Sequence, residues 1–255
     1  MNIDIEAEIQ RRLNLIEQEN DVRIIYACES GSRAWGFASQ DSDYDVRFIY
    51  VKNATDYLCI EKQRDVIETP IDGIYDINGW DLKKALGLLK KSNPTLIEWL
   101  KSPIIYRSDE TFISLLRSML MRSFSRNSLI YHYLNMARNN WQNDIEKGNV
   151  TAKKYLYTLR PLLCVDWIKR YDSIPPMKFQ SMIEAIPGAT DIKNEIRWLL
   201  EIKAQGMEKD YIRRNDIMDK YILNSFKYRD EITPNIEKPL DWRPLNQLFL
   251  KAIGI

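Results

Sequence analysis

The feature that most constrains this chain is a run in which two predicted strands flank a glycine–serine turn. A β-branched stretch at residues 22–27 is followed by Gly31-Ser32-Arg33, nine further residues, and then Asp43-Tyr44-Asp45-Val46. The second aspartate opens another predicted strand, DVRFIYV, over residues 45–51. Because side chains two positions apart in a strand point to the same face, we expect Asp43 and Asp45 to lie side by side.

Two neighbouring carboxylates of this kind are typical of a metal site. Like charges at this spacing repel each other unless a cation lies between them, and Mg²⁺ prefers the hard oxygen ligands that carboxylates supply. Two magnesium ions about 4 Å apart can activate an attacking hydroxyl and stabilise a leaving pyrophosphate. Asp43 and Asp45 are therefore predicted to hold two Mg²⁺ ions, with Mn²⁺ as an alternative metal.

The glycine–serine turn supplies groups that suit a triphosphate. Gly31 allows the backbone to approach a phosphate closely, Ser32 offers a hydroxyl and an N–H, and a helix beginning there would direct its positive end at the anion. Arg33 adds charge unless its side chain points outward. Ser42 is expected to cap or buttress the turn before the aspartates. The turn and the two aspartates together predict the transfer of a nucleotidyl group.

The composition of the chain argues against several other site chemistries. One histidine cannot build a histidine-rich metal site within one chain, and three scattered cysteines without a Cys-x-x-Cys pair support neither a zinc site nor a disulfide framework. The absence of Gly-x-Ser-x-Gly disfavours a serine hydrolase. Any metal in this protein must then be held by carboxylates.

Charge is distributed unevenly along the chain. Residues 1–65 carry a net charge of −5, whereas residues 111–170 carry +7. An acidic segment with a metal site followed by a basic segment suits a protein that handles a triphosphate between two lobes. Ordinary charged helix surfaces explain the same asymmetry, and the sequence does not decide between the two.

The periodicity of apolar residues predicts an α+β fold in two domains. Residues 3–19 repeat apolar positions with helical spacing, residues 66–80 read as a third extended segment, and the chain is mostly helical after Gly79. We expect a small mixed β-sheet with helices in residues 1–105, followed by a mostly α-helical domain in residues 106–255. No stretch approaches the roughly 18 apolar residues of a membrane span, and the acidic start is unlike a signal peptide. A cytoplasmic protein without a membrane partner is expected.

The run ESGSRAWGFASQDSDYDVRFIYV, residues 29–51, resembles the motif of the DNA polymerase β-type nucleotidyltransferase superfamily. With NPTLIEWL at 93–100 and KKYLYTLRPLL at 153–163, it looks like the bacterial predicted nucleotidyltransferases of YcgL, or RNA-repair-associated (RlaP), type. The resemblance covers most of residues 22–170. It implies a magnesium-dependent transfer of a nucleoside monophosphate from an NTP to a hydroxyl, with release of pyrophosphate. The RNA-repair link makes an RNA end the preferred acceptor.

The resemblance also implies a third carboxylate on a later strand. Asp76 is the preferred candidate because it lies in the extended IYDIN segment just before the helix that leads to NPTLIEWL. Asp72 and Asp81 remain as alternatives, the latter at a predicted helix start. The predicted catalytic and metal-binding residues are thus Asp43, Asp45 and Asp76.

A second group of candidate residues lies in the KKYLYTLR segment. On a helix, Lys154 and Tyr157 share a face, and Tyr157 also shares one with Arg160. These three residues are predicted to hold the triphosphate or to stack on a base, although a partly buried helix would show the same pattern. Glu29 is interpreted as a solvated strand end rather than an auxiliary acid, and Trp35 as a packing residue.

Two other functions remain open from the sequence. The chain could be a catalytically weak, nucleotide-binding regulatory partner of the antitoxin kind, whose protein partner the sequence does not identify. Alternatively, it could transfer nucleotides to a protein side chain or to a small molecule. The two Asp-x-Asp acids and a plausible third acid favour catalysis on a polynucleotide or other hydroxyl acceptor over binding alone.

Overall fold

The computed structural model describes residues 4–186, 188, 190–232 and 240–255, without the side chains of Ser123 and Glu231. The described strands form one five-stranded sheet with the order β3-β4-β2-β1-β5. The strands are β1 Val22–Glu29, β2 Tyr44–Lys52, β3 Val66–Glu68, β4 Tyr75–Asp81 and β5 Ile105–Ser108. β2 and β4 are parallel, whereas the other neighbouring pairs are antiparallel. The predicted mixed sheet is confirmed.

One face of this sheet is covered by the first helix, α1 Ile5–Asn20. Asp4 caps the helix by accepting from the N–H groups of Glu6 and Ala7, as an N-cap aspartate does. The buried residues of this layer come from α1 and from alternate positions of the strands: Ile9, Leu13, Ile16, Ile24, Val46, Phe48, Tyr50 and Ile77. Because side chains alternate along a strand, Asp45 and Arg47 of β2 lie on the opposite face from this cluster.

The predicted extended segment at residues 66–80 is two strands rather than one. β3 and β4 pair with each other, and the chain turns between them where Asp72 and Tyr75 form a bridge. Gly73 in this turn has a φ of +63°, which glycine adopts without the strain that a Cβ would add. β5 was not predicted at all, because four residues offer too little periodicity to stand out from a loop.

Contacts within the chain group the described residues into two compact units. Unit 1 comprises residues 4–34, 43–124 and 240–255, and unit 2 comprises residues 35–42 and 125–232, with the gaps given above. This grouping differs from the predicted division after residue 105. The difference arises because β5 pairs with β1 and because the carboxy-terminal helix belongs to unit 1.

Unit 1 also contains further helices besides α1 and the sheet. They are α2 Gly31–Trp35, whose last residue belongs to unit 2, α3 Leu82–Lys90, α4 Pro94–Leu100, α5 Glu110–Ser123 and α11 Trp242–Ala252. Asp81 caps α3 and Asn93 caps α4, which begins with proline at its first position. Proline is tolerated there because the first N–H groups of a helix have no partner within it.

The described part of unit 2 is mostly α-helical, as the sequence predicted. Its helices are α6 Arg126–Asn140, α7 Ala152–Tyr171, α8 Phe179–Ala185, α9 Thr190–Ala204 and α10 Asp216–Lys227. A π-helical turn, Trp141–Ile145, continues α6. α7 is buried along most of its length and packs against α6, α8, α9 and α10, so it is the central helix of the unit. The predicted helical domain also contains residues 187, 189 and 233–239, which lie outside the described residues.

The α+β fold class is thereby confirmed. None of the helices in the described ranges combines the length and the apolar character that crossing a membrane requires.

Candidate functional site

The parallel pairing of β2 and β4 places two of the predicted acids side by side. Asp45 and Asp76 are direct partners in the register of the two strands. Arg47 Nη2 lies 3.1 Å from Asp45 Oδ1 and 2.7 Å from Asp76 Oδ2, so one guanidinium bridges both carboxylates. A shared cation reduces the electrostatic repulsion between two adjacent carboxylates.

The bridging guanidinium is itself held in place by the backbone. Arg47 Nη1 donates to the carbonyl oxygens of Asp76 at 2.7 Å and of Val46 at 3.0 Å. Asn78 donates to the other carboxylate oxygen of Asp76 at 2.6 Å. The side chains of Asp45, Asp76 and Arg47 are 27%, 25% and 17% exposed. The group therefore carries two negative charges and one positive charge at the surface of the sheet, where a further cation can reach it.

Glu29, at the end of β1, contacts the backbone of Asp45. Its Oε1 accepts from the backbone N–H of Asp45 at 2.8 Å, and its Oε2 accepts from the hydroxyl of Tyr106 at 2.5 Å. The residue is completely buried, so the interpretation as a solvated strand end was wrong. Burial raises the pKa of Glu29 to about 7, against the hydrogen bonds that favour its charged form. Glu29 fixes the backbone from which Asp45 projects.

The glycine of the predicted phosphate turn touches Asp45. Gly31 has a φ of +59°, and a Cβ built at this position would meet Asp45 Oδ2 at 2.0 Å. The N–H of Ser30, next to it, donates to the Asp45 carbonyl at 2.8 Å. Glycine is therefore required both by the left-handed backbone and by the close approach of a carboxylate. The turn and the second aspartate form one structural feature.

The neighbouring predicted residues lie around this turn. Arg33 Nε donates to the Asp43 carbonyl at 3.1 Å, and its guanidinium lies 3.7 Å from the centre of the Tyr44 ring. Ser32 is buried. Asp43 is exposed and precedes β2, which begins at Tyr44. Arg33 is thus oriented along the start of β2.

The donor chemistry of the Asp45–Asp76 pair fits a hard divalent cation. Both carboxylates already face one positive group, and oxygen ligands are what Mg²⁺ prefers. The described residues contain no group of three or more histidine, cysteine, aspartate and glutamate side chains arranged to hold a metal ion. The structure therefore brings together two of the three predicted acids and does not bring Asp43 into a three-carboxylate cluster with them.

The two alternative third acids, Asp72 and Asp81, make contacts outside the Asp45–Asp76 pair. Asp72 is 70% exposed and forms an ion pair with Arg12 at 2.6 Å. Asp81 caps α3 by accepting from the N–H of Lys83 and also accepts from the hydroxyl of Tyr57, so the prediction of a helix-start residue is confirmed. Both carboxylates are engaged in contacts that support the fold, which leaves Asp76 beside Asp45.

The other predicted nucleotide-binding residues belong to unit 2. Arg160 lies 3.9 Å from the ring centre of Trp35, and the Tyr157 ring meets the same indole edge-on at 5.5 Å. Lys154 Nζ forms an ion pair with Asp144 at 2.9 Å. Ser42 accepts from the N–H of Ser39 at 2.9 Å and contacts its hydroxyl, which agrees with a turn-capping role. Trp35 is a packing residue of this group, as predicted.

Two residues of the site were missed from the sequence. Arg47 stands two positions after Asp45 in the predicted strand, so the alternation of side chains could have placed it on the same face. For Glu29 the local sequence held no comparable signal, because its burial depends on Tyr106, which is far away along the chain.

Comparison with known proteins finds a family, a sequence relative and a solved structure that resemble this chain. Residues 5–251 match the family described as RlaP, RNA repair pathway DNA polymerase beta family. The chain is 44% identical over 243 residues to "Uncharacterized protein YcgL" of Bacillus subtilis (strain 168), covering 94% of each. A nucleotidyltransferase-like protein from Exiguobacterium sibiricum 255-15 is 12% identical with a TM-score of 0.30, over 86% of this chain and 73% of that one. At that distance the structural likeness says nothing about function. The first two matches confirm the resemblance noted above and extend it beyond residue 170.

Proposed function

The chain belongs to the RNA repair pathway DNA polymerase beta family, and from this premise we propose that it is a magnesium-dependent nucleotidyltransferase. The reaction we propose moves a nucleoside monophosphate from an NTP to a hydroxyl at an RNA end. A new bond forms between the acceptor oxygen and the α-phosphorus, the bond to pyrophosphate breaks, and the hydroxyl proton leaves with a carboxylate as its acceptor.

One observation carries the proposal. Asp45 and Asp76 are register partners on parallel strands and share one guanidinium. Their position against the Gly31 turn brings carboxylates next to a backbone that can approach a phosphate. A pair of acids that only stabilised the sheet would need neither the turn nor partial exposure to solvent.

Each residue has a separate role in this proposal. Asp45 and Asp76 hold the cation, and Asp76 also accepts the proton of the acceptor hydroxyl. Asp43 is proposed as a further metal ligand. When bound, Mg²⁺, for which Mn²⁺ can substitute, supplies charge stabilisation at the reacting phosphate. Glu29 fixes the Asp45 backbone, and Arg47 offsets part of the negative charge of the two carboxylates.

The remaining predicted residues are proposed to bind the nucleotide. Gly31, Ser32 and Arg33 would meet the phosphates, and Ser42 supports the turn that precedes Asp43. Lys154, Tyr157 and Arg160 of α7 stay proposed nucleotide-binding residues, with Arg160 also in contact with the Trp35 ring. RNA as the acceptor is supported by the family and by the +7 charge of residues 111–170. The cytoplasmic location stays a prediction.

The test is label transfer from each α-labelled NTP, with Mg²⁺ and a pool of short RNAs. We expect label on RNA with the wild-type protein and a loss of roughly 100-fold or more with Asp45→Asn. Asn has nearly the volume of Asp, so the substitution removes charge and little packing. Label on the protein itself would identify a protein acceptor, and label on an added small alcohol a small-molecule acceptor.

The matched control is Asp72→Asn, because Asp72 lies in the turn between β3 and β4 of the same sheet but is 70% exposed and paired with Arg12. It should transfer label at close to the wild-type rate. Near-full activity of Asp45→Asn would refute the assignment. Equal losses in both variants would mean that the effect is on the fold and not on the site.

A second candidate function is favoured by one observation. Arg47 already supplies a cation to the pair, and the described residues form no three-carboxylate cluster. A regulatory protein that binds a nucleotide but catalyses little transfer would need only these two carboxylates and this arginine. Metal-dependent NTP binding without label transfer to any acceptor would support this reading over the enzyme.

A further inference from the structure

A cavity of about 510 Å³ lies in unit 2, between the second half of α7 and the end of α8. Its volume falls within the range of ligand pockets, which is roughly 300–1,000 Å³. Five of the six α7 residues that line it recur with helical spacing and so form one face of the helix. These five are Leu163, Asp166, Trp167, Arg170 and Tyr171, Lys169 flanks them, and residues at the end of α8 lie opposite.

Aromatic rings form one part of this cavity. The rings of Trp167 and Tyr171 lie 4.3 Å apart, and Tyr171 is 44% exposed. Trp167 Nε1 donates to Ser173 Oγ at 3.0 Å, which fixes the plane of the indole. A large aromatic side chain that is half in solvent, beside apolar walls, is the arrangement on which an unpaired base stacks.

Two cationic side chains, those of Lys169 and Arg170, also line the cavity. Arg170 Nη1 donates to the Ala185 carbonyl at 3.0 Å, which positions the guanidinium at the mouth of the cavity. Lys169 Nζ lies 3.6 Å from the ring centre of Tyr228. Two oriented positive groups at the rim of an apolar cavity match a ligand that is apolar at one end and anionic at the other.

A carboxylate, that of Asp166, also lines the cavity. Asp166 Oδ2 accepts from the hydroxyl of Tyr221 at 2.5 Å. Burial raises the pKa of Asp166, against the hydrogen bond from Tyr221 and the charge of Lys169. A carboxylate has acceptor sites on both oxygens, so Asp166 retains capacity for the N–H groups on the edge of a base.

We propose that this cavity binds a nucleotide of an unpaired RNA strand, with the base stacked on Tyr171 and Trp167 and the phosphate at Arg170 and Lys169. Asp166 accepts from the base edge. Two cations against one carboxylate leave the lining with an excess positive charge that a phosphate would balance, and a free phosphate alone would leave the aromatic pair unused. The choice of RNA as the ligand rests on the proposed function, whereas the shape and charge of the cavity do not.

The experiment measures the affinity of the full chain for a short, unstructured, fluorescein-labelled RNA by anisotropy, without NTP or metal. Tyr171→Ala should weaken binding by roughly 5- to 140-fold, because stacking on one base contributes about 1–3 kcal/mol. Arg170→Gln should weaken binding and reduce the slope of log affinity against log salt by about 0.7. Crosslinking of the wild-type protein to 4-thiouridine RNA should modify peptides of α7 or α8.

Two variants of matched chemistry serve as controls. Tyr131 on α6 is 38% exposed and Arg197 on α9 is exposed, and neither lines the cavity. Tyr131→Ala and Arg197→Gln should bind RNA as the wild-type protein does. Equal losses in the cavity variants and the controls would overturn the proposal, because the effect would not be local.

The remaining outcomes separate this proposal from the proposed function. Unchanged RNA affinity in Tyr171→Ala and Arg170→Gln would overturn the cavity as the RNA site, even if label transfer depends on Asp45. Absence of RNA binding by the wild-type protein would also overturn it. If the wild-type protein transfers no label but the cavity variants weaken its RNA binding, the proposed enzymatic function would be refuted and the RNA site would remain supported.

Discussion

Asp45 and Asp76 meet at the guanidinium of Arg47, whose Nη2 lies 3.1 Å from one carboxylate and 2.7 Å from the other. The two acids come from strands that are parallel neighbours in the sheet, and the arginine comes from the same strand as Asp45. Three charged groups at this spacing form a pair of acids with one built-in cation. The arginine therefore offsets one of the two negative charges and leaves the group with a net negative charge.

Removing the built-in cation should destabilise the fold and increase its response to magnesium. In Arg47→Gln the two carboxylates face each other without compensation, so we expect a loss of about 1–3 kcal/mol in the free energy of unfolding. Added Mg²⁺ should raise the melting temperature of the variant more than that of the wild type, because the ion replaces the missing charge. Thermal unfolding with and without Mg²⁺ measures both effects.

Arg64→Gln is the control for this prediction. Arg64 pairs with Glu68 at the surface, where both side chains are more than half exposed, and such pairs contribute little. Its stability and its response to Mg²⁺ should match the wild type. An Arg47→Gln protein that unfolds like the wild type at every magnesium concentration would show that the arginine does not balance the pair.

A methyl group at Gly31 should disturb Asp45 specifically. Its Cβ would lie 2.0 Å from Asp45 Oδ2, whereas a Cβ at Gly73, which has a similar positive φ, would meet nothing within 4 Å. Gly73→Ala should therefore lose only the cost of the left-handed backbone, about 1–2 kcal/mol, and Gly31→Ala should lose more and also lose label transfer. Urea unfolding of the two variants measures the cost of the strained backbone. The transfer assay measures whether Asp45 has been displaced. Equal losses of stability and of label transfer in the two variants would contradict the contact between a Cβ at Gly31 and Asp45.

The buried Glu29 should make stability depend on pH in metal-free protein. Its pKa is about 7 in the folded state and 4.5 ordinarily. Between these values the folded state binds more protons than the unfolded state, so stability falls as pH rises. The contribution is complete below pH 4.5 and is lost as pH passes 7, and it amounts to roughly 3 kcal/mol.

Glu29→Gln isolates this effect, since the amide oxygen can still accept from the Asp45 N–H. The difference in unfolding free energy between wild type and variant should change across this pH range in chelator-treated protein. A difference that stays constant from pH 4.5 to pH 7 would mean that the folded state does not retain the proton.

The local sequence was enough to predict most of what the strands contribute to the site. The β-branched run at 22–27, the DVRFIYV strand and the glycine–serine turn follow from propensity and alternation over a few residues. The choice of Asp76 over Asp72 and Asp81 rested on an extended segment before a helix, and the structure places Asp76 beside Asp45. Its role as a metal ligand stays a prediction.

The sequence could not provide the pairings between distant segments. Nothing near Glu29 indicates that Tyr106 of β5 will bury it. Nothing in residues 35–42 indicates that Phe37 will pack on Phe179 of α8, with ring centres 5.1 Å apart, and so place this spacer in unit 2. Such contacts depend on the whole chain, whereas periodicity reports only on neighbours.

The most direct test of the account is a double-mutant cycle on the rate of nucleotide transfer in a single turnover. Asp45→Asn and Asp76→Asn are compared with the double variant and with the wild type. Because both acids hold the same cation, the double variant should be little slower than the slower single variant. Losses that multiply in the double variant would show that the two carboxylates act independently, and a single variant with wild-type rates would contradict the site itself.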